Sequence, residues 1–220
     1  MNNQRGNMYP WVTHTWNPIR GCRHNCPYCY VRRLRGYDMT PRLSEKALAE
    51  NLGSGNVIFV GSTADMFGVW IDPLWIKRVL AKCCQYKNTY LFQSKNPAAY
   101  REFMGLFPGR TILGTTIETN RAEPAIGSAP SRERRFLGIA ETPGCRMVSI
   151  EPVMDFDPAE FSIWLHQIRP EFVSIGADSG GNHLPEPSAK KLEALIAALG
   201  EFTEVRLKPN LHRLRNNDEL

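Results

Sequence analysis

Hydrophobic residues along the chain fall into two alternating patterns. Short runs of β-branched and aromatic residues alternate with longer segments in which apolar residues recur at helical spacing. This alternation is typical of parallel strands joined by helices, so it predicts an α/β fold in one domain over residues 1–220. The runs predict strands near Val12–Trp16, Asn56–Gly61, Thr89–Gln93, Thr111–Ile117, Arg146–Ile150, Phe172–Ile175 and Glu204–Leu207. The segments between them predict helices over Ser44–Leu52, Pro73–Tyr86, Pro97–Phe107, Ser131–Glu141, Pro158–Ile168 and Ser188–Leu199.

Proline marks several of the predicted helix starts. It is favoured at the first helical position, where its missing N–H leaves no hydrogen bond unmade. Four dipeptides place a proline behind a side chain that can accept a hydrogen bond: Asp72-Pro73, Asn96-Pro97, Asp157-Pro158 and Glu186-Pro187.

Length and charge narrow the class of protein. The 220 residues carry a formal net charge of +5, and the first of them, MNNQRGNMYPWV, lack the apolar core of a signal peptide. No stretch is apolar enough to cross a membrane, so we expect a cytoplasmic protein with no membrane partner. Much of the positive charge lies in two arginine groups, each interpreted either as a solvated helix face or as a contact for phosphate. They are Arg32, Arg33 and Arg35, and Arg132, Arg134 and Arg135.

Three of the six cysteines lie close together in the sequence GCRHNCPYCY, where Cys22, Cys26 and Cys29 are spaced Cys-x3-Cys-x2-Cys. Clustered cysteines in a reducing compartment typically bind metal. Thiolates suit zinc or iron–sulfur clusters, and a zinc site would need a fourth ligand, for which His24 is the nearest candidate. Three cysteines without a clear fourth ligand favour an iron–sulfur cluster with one open iron. The other thiols are interpreted as packing residues: Cys83, Cys84 and Cys145.

The cysteine motif, with Tyr28 before its third cysteine, resembles the signature of the radical S-adenosylmethionine (SAM) superfamily. Further stretches resemble phage-associated radical SAM proteins related to the spore photoproduct lyase group: TWNPIRGCRHNCPYCY, VIFVGSTADMFG, LFQSKNP, TTIET, VSIEPV and VSIGADSGG. The resemblance implies a partial (βα)6-type parallel barrel with a short C-terminal extension around Val205–Pro209, located in the host cytoplasm if the protein is viral.

The resemblance also implies two cofactors and a reaction class. The three cysteines would hold three irons of a [4Fe–4S] cluster, and the amino and carboxylate groups of SAM would bind the fourth. An electron from a donor such as flavodoxin or ferredoxin would then cleave SAM, and the radical released would remove a hydrogen atom from the substrate.

Polar residues in the same stretches follow the predicted strands. In parallel αβ barrels the active site is built where the strands end, so we expect these residues to converge. The resemblance implies contacts to SAM from Ser62, Thr63 and Asp65 at the aminocarboxylate, Ser94 and Thr116 at the ribose, Glu118 at either, and the main chain of Ile175 and Gly176 at the adenine. Gly61 and Gly176 would let the ligand approach the backbone, with an ordinary turn as the alternative. Lys95, Glu151 and Asp178 are predicted to face the substrate, with a buried ion pair as the alternative for each.

The substrate prediction rests on the phage-type resemblance and the basic residues. It is a thymidine carrying an amino-acid (glycinyl-type) adduct on viral DNA, isomerised from a C–N to a C–C attachment after the base is flipped out. A pyrimidine-dimer lyase is the second hypothesis. A third, of another class, is a non-catalytic zinc or iron–sulfur module that binds nucleic acid through Arg32, Arg33 and Arg35.

Overall fold

A computed structural model describes residues 1–3, 8–122 and 126–215. Within those ranges the strands are β1 (Asn2–Asn3), β2 (His14–Trp16), β3 (Ile19–Arg20), β4 (Arg42–Leu43), β5 (Val57–Val60), β6 (Thr89–Gln93), β7 (Thr111–Thr116), β8 (Arg146–Ile150), β9 (Phe172–Ile175) and β10 (Glu204–Leu207). The α-helices are α1 (Glu45–Leu48), α2 (Pro73–Cys84), α3 (Arg132–Ala140), α4 (Pro158–Ile168), α5 (Ala189–Gly200) and α6 (His212–Arg215). The described residues also form 3-10 helices over Tyr30–Arg33, Pro97–Leu106 and Pro209–Leu211.

The main sheet has eight strands in the order β1-β2-β5-β6-β7-β8-β9-β10. Every pairing from β2 to β10 is parallel, and β1 adds an antiparallel edge to β2. Six strand–helix units therefore lead into the last strand, β10, as in a partial (βα)6 barrel followed by a C-terminal extension. The α/β prediction is confirmed, and all seven predicted strands form.

The first predicted strand begins two residues late. Val12 does not enter the ladder, because its backbone N–H donates to the carbonyl of Tyr9 in a turn. The side chains of Tyr9 and Val12 are buried on the concave face of the sheet, where they pack with Phe59, Leu91 and Met147. The N-terminal segment therefore covers part of that face, and the larger core lies between the sheet and the helices.

Side-chain caps explain where several helices begin. Asp72 accepts from the Leu74 N–H at the start of α2, and Ser131 does the same for Arg134 in α3. At α5 the cap is Ser188 rather than the predicted Glu186-Pro187, because its hydroxyl accepts from the Lys191 N–H. An N-terminal side-chain cap stabilises a helix by about 1 kcal/mol.

Two predicted helices differ from expectation. The segment predicted over Ser44–Leu52 makes only the single turn α1, and beyond it the Asn51 side chain accepts from the Gly53 N–H in a turn. The segment after Asn96-Pro97 forms a 3-10 helix rather than an α-helix.

Of the cysteines predicted to pack, Cys83 is fully buried, whereas Cys84 is exposed and Cys145 half-buried. The prediction was wrong for Cys84, which lies on the outer side of α2 and contacts the carbonyl of Leu106. Within the described part of the chain, no helix has the length and apolarity needed to span a membrane.

Candidate active site

A cavity of about 490 Å³ opens where the parallel strands end. That volume lies within the range of cofactor and ligand sites. Most of the predicted site residues line it together: Cys22, Cys26, Tyr28, Cys29, Gly61, Ser62, Thr63, Asp65, Ser94, Lys95, Thr116, Glu151 and Asp178. The strand-end rule therefore brings residues more than 150 positions apart to one place, while Glu118, Ile175 and Gly176 lie behind the cavity wall.

The cysteine loop is held against the segment that leads into β4. The Cys22 N–H donates to the carbonyl of Met39 over 3.0 Å, and the Cys29 N–H donates to the carbonyl of Cys26 over 3.1 Å. Gly21 has φ +82°, and a Cβ there would lie 2.2 Å from the Thr40 oxygen, so only glycine fits. These contacts fix the loop at the cavity mouth.

The donor set at this mouth fits an iron–sulfur cluster. All three thiols are free of disulfides and face one cavity. Burial raises the pKa of Cys22 to about 11 and raises that of Cys26, so a buried thiolate there needs a nearby positive charge such as iron. The described residues offer no group of three His, Cys, Asp or Glu arranged to hold one metal ion. A [4Fe–4S] cluster instead binds each thiolate through a different iron.

One ring nitrogen of His24 pairs with Asp65, whereas its Nδ1 is buried and has no hydrogen-bond partner among the described residues. Its Nε2 lies 2.6 Å from Asp65 Oδ2, and both side chains are buried. The Asp65 carboxylate also accepts from Ser94 Oγ at 2.6 Å and from the Lys95 N–H at 2.8 Å. Burial alone would raise the pKa of Asp65, but these hydrogen bonds and His24 lower it. Asp65 thus ties the cysteine loop to the end of β6 with its oxygens already engaged.

Glu118 is the centre of a buried ionic cluster behind the loop. Its carboxylate lies 2.5 Å from Lys95 Nζ and 2.8 Å from Arg135 Nη1, and it accepts from the Tyr28 hydroxyl. Burial would raise its pKa, but Lys95 and Arg135 outweigh burial and hold the pKa well below its usual range.

The prediction of a solvated or phosphate-binding face is wrong for Arg132 and Arg135, which are buried, and fits only Arg134 of that group.

The cavity floor is lined by a hydrogen-bonded row of polar side chains on the concave face. The Tyr9 hydroxyl lies 2.8 Å from Gln93 Oε1 and 2.9 Å from Ser149 Oγ. Gln93 Nε2 in turn donates to Thr116 Oγ1 over 2.8 Å. Burial raises the pKa of Tyr9, so its hydroxyl stays protonated. The predicted ribose contact Thr116 thus has a partner within the protein.

Glu151 and Lys208 form an ion pair on the cavity wall, with Lys208 Nζ 2.7 Å from each carboxylate oxygen. Gly176 lies directly behind the pair, since a Cβ there would be 2.9 Å from the Glu151 carboxyl group and 3.0 Å from Lys208 Cδ. The missing side chain therefore leaves room for this pair. The Ile175 carbonyl accepts from the Lys208 N–H, and the Gly176 carbonyl accepts from the Val153 N–H.

Asp178 organises the loop after β9. Its carboxylate accepts from the Gly180 N–H at 2.9 Å and from the backbone and side chain of Asn182. Arg33 donates to the Gly180 carbonyl and to the Asn182 side chain, so it connects the segment after the cysteines to this loop. Arg32 and Arg35 are exposed beside it.

The loop after β5 supplies the remaining predicted SAM contacts. Asn17 Oδ1 accepts from Ser62 Oγ at 3.2 Å and from the Thr63 N–H at 3.0 Å. The Thr63 hydroxyl is buried with no partner among the described residues. Gly61 has φ +78°, which makes it a turn glycine as well as a cavity residue.

A protein-family model described as "Protein of unknown function (DUF5131)" matches residues 7–189. The chain belongs to this family. A comparison with curated proteins finds no match for the DUF5131 chain.

Solved structures share its fold. A spore photoproduct lyase variant with bound AdoMet and dinucleoside spore photoproduct superposes with a TM-score of 0.68 at 12% identity, covering 93% of this chain and 78% of that one. Streptococcus suis SuiB bound to precursor peptide SuiA superposes with a TM-score of 0.61 at 10% identity, covering 90% of this chain and 49% of SuiB.

Sequence reasoning missed several residues of the site in this DUF5131 chain. Lys208 directly follows β10, so the strand-end rule could have found it. Gln93 and Ser149 lie on inward-facing strand positions, which the period of two along β6 and β8 could have indicated. No sequence pattern indicated that Tyr9 belongs to the site, because its position depends on how the N-terminal segment folds back over the sheet.

Proposed function

We propose that this chain is a radical SAM enzyme. The observation that carries the proposal is that three free thiols of one loop face a single cavity at the carboxyl ends of parallel strands. The solved structures of similar fold support it, because spore photoproduct lyase and SuiB have both been solved with SAM bound.

In this proposal Cys22, Cys26 and Cys29 hold a [4Fe–4S] cluster. When bound together, the cluster and SAM supply a carbon radical able to remove a hydrogen atom from an unactivated C–H bond. The protein's part is to hold the loop through Asp65 and the Glu118 cluster, and to surround the reacting groups with buried walls that exclude water.

The distribution of charge supports a polyanionic substrate. Residues 20–42 contain six arginines and one aspartate, which equals the net charge of +5 of the whole chain. The other residues therefore carry equal numbers of basic and acidic groups. The cysteines that line the cavity belong to the same segment, so this excess of positive charge lies in the part of the chain that forms the cavity mouth. A phosphate backbone passing the mouth would be attracted there.

The specific proposal is isomerisation of a glycinyl-type adduct on thymidine during hypermodification of viral DNA. The modified base would leave the stack to enter the cavity, while Arg32, Arg33 and Arg35 contact the phosphates. A pyrimidine-dimer lyase is the second candidate, because the lyase of similar fold was solved with a dinucleoside photoproduct.

Metal analysis tests the cofactor. Protein reconstituted anaerobically with iron and sulfide should hold about four irons and about four sulfides per chain. Changing Cys22, Cys26 or Cys29 to Ser should abolish the brown cluster absorbance, whereas the control Cys145→Ser should keep it. With SAM and a reductant, only cluster-bearing proteins should form 5′-deoxyadenosine. Stoichiometric zinc without cluster absorbance would overturn the proposal in favour of a zinc-binding module.

Product masses separate the two enzymatic candidates. Isomerisation of the adduct changes the chromatographic retention of the nucleoside but not its mass, whereas reversal of a dimer yields two thymines. Adduct-bearing DNA that stays unchanged under conditions of active SAM cleavage would refute the isomerase.

A further inference from the structure

The ion pair of Glu151 and Lys208 is one of the few charged features of the cavity wall. Glu151 follows β8 and Lys208 follows β10, and their side chains are 20% and 5% exposed. Lys208 Nζ also lies 5.0 Å from the centre of the Tyr9 ring, which extends the wall as an apolar surface. The pair fits against the backbone because Gly176 has no side chain there.

The hydrogen-bonding capacity of the pair is only partly used. A lysine ammonium has three N–H donors and a carboxylate has about four acceptor positions. Among the residues that the structure describes, these two side chains hydrogen-bond only to each other, through two contacts of 2.7 Å. One donor and about two acceptor positions therefore remain, beside each other, on a wall of the cavity.

Such a pair has little value as packing. A buried ion pair repays its desolvation only when further hydrogen bonds satisfy the remaining atoms, and apolar residues of similar size are often at least as stable. Burial already raises the pKa of Glu151 above its usual value in spite of Lys208, which acts in the opposite direction. The missing hydrogen bonds are those that a ligand with an N–H beside a carbonyl would make.

We propose that Glu151 and Lys208 bind the imide edge of a pyrimidine base, with Glu151 accepting from the ring N3–H and Lys208 donating to the adjacent carbonyl oxygen. This inference rests on the proposed function, because it names how the pyrimidine substrate is held. The pair is neutral overall and so matches a neutral base, and the aromatic rings of Tyr9 and Phe59 line the same cavity for stacking. The phosphates would stay at the arginine-rich mouth.

Equilibrium binding to the cluster-reconstituted protein with SAM and no reductant tests the inference. The probes are thymidine 5′-monophosphate, its N3-methylated analogue, and deoxycytidine 5′-monophosphate. A correctly placed pair of hydrogen bonds to a base edge discriminates by about tenfold or more. The wild-type protein should therefore bind thymidine monophosphate at least about tenfold more tightly than the N3-methylated analogue, which has no N3–H to donate, and more tightly than deoxycytidine monophosphate, whose N3 accepts where that of thymine donates.

Variants assign that preference to the pair. In Glu151→Gln the amide N–H₂ can face the N3–H, so the preference over the methylated analogue should fall to within about twofold. Glu204→Gln is the matched control, because Glu204 is an exposed glutamate paired with Arg206 at the start of β10. It should keep the full preference. Cluster absorbance and SAM binding confirm that each variant is folded. The comparison of the three nucleotides on the wild-type protein tests the inference even if a variant does not fold.

Equal wild-type binding of thymidine monophosphate and its methylated analogue would overturn the inference. So would tighter binding of the cytidine nucleotide, or absence of binding by all three. Formation of 5′-deoxyadenosine, measured separately with reductant, reports on the proposed function. A protein that cleaves SAM but shows no imide preference would therefore refute the inference alone.

Discussion

The buried charge cluster around Glu118 makes a quantitative prediction for stability. Glu118 and Arg135 are both 0% exposed, and Glu118 Oε2 lies 2.8 Å from Arg135 Nη1. At an effective dielectric constant of about 20, an attraction at this distance is about 6 kcal/mol before desolvation is subtracted. Glu118→Gln keeps the shape but leaves the buried Arg135 without a counter-charge, which typically costs about 3–5 kcal/mol. A chain of this size loses about 2–4 °C in Tm per kcal/mol, so Tm should fall by about 10 °C.

Differential scanning calorimetry at pH 7 and a fixed scan rate measures this fall. Glu45→Gln is the matched control, because Glu45 makes a two-contact ion pair with Arg78 on the surface, where solvent screens it. Its Tm should stay at the wild-type value. Because the pKa of folded Glu118 is depressed, its stabilisation is complete above the unfolded value of 4.5 and is lost as pH falls below it. The difference in Tm between the wild type and Glu118→Gln should therefore narrow steadily as the pH falls from 4.5 towards 3. A Tm fall below about 2 °C at pH 7 would refute the reasoning.

Two further predictions concern packing and the mouth of the cavity. Gly138→Ala in α3 should destabilise the protein by about 1–3 kcal/mol in urea unfolding, although alanine favours helices, because its Cβ would lie 2.7 Å from the Ala98 backbone nitrogen. Gly200→Ala at the end of α5, where a Cβ meets nothing within 4 Å, should be neutral or slightly stabilising, and equal effects would contradict the packing argument. Arg35→Ala should lower the slope of log affinity against log salt for single-stranded DNA by about 1, whereas Arg101→Ala, paired with Glu141 on the surface, should not. An unchanged slope in Arg35→Ala would place the phosphates elsewhere.

Local patterns were enough to predict the strands and the cysteine motif. The strand runs Thr89–Gln93, Arg146–Ile150 and Phe172–Ile175 form with the predicted bounds, since hydrophobic side chains report their own burial along the chain. The parallel order of the sheet then followed from the alternation with helices, and with it the convergence of Ser62, Ser94 and Glu151 on one cavity.

The tertiary structure decided which of those polar groups are already engaged. Nothing in the local sequence distinguishes Arg135 from an exposed arginine. Its burial depends on the ion pair with Glu118, which lies 17 residues earlier in the chain. Lys208 reaches Glu151 across 57 residues, and His24 reaches Asp65 across 41. Ion pairs and hydrogen bonds need contact within about 3 Å, and no local pattern of the chain encodes such distances between remote segments. The amino-acid sequence by itself therefore determined the fold class and the cysteine motif. Only the tertiary structure determined that Asp65 and Glu118 support the cysteine loop, and that Glu151 and Lys208 still have hydrogen-bonding positions left for a ligand.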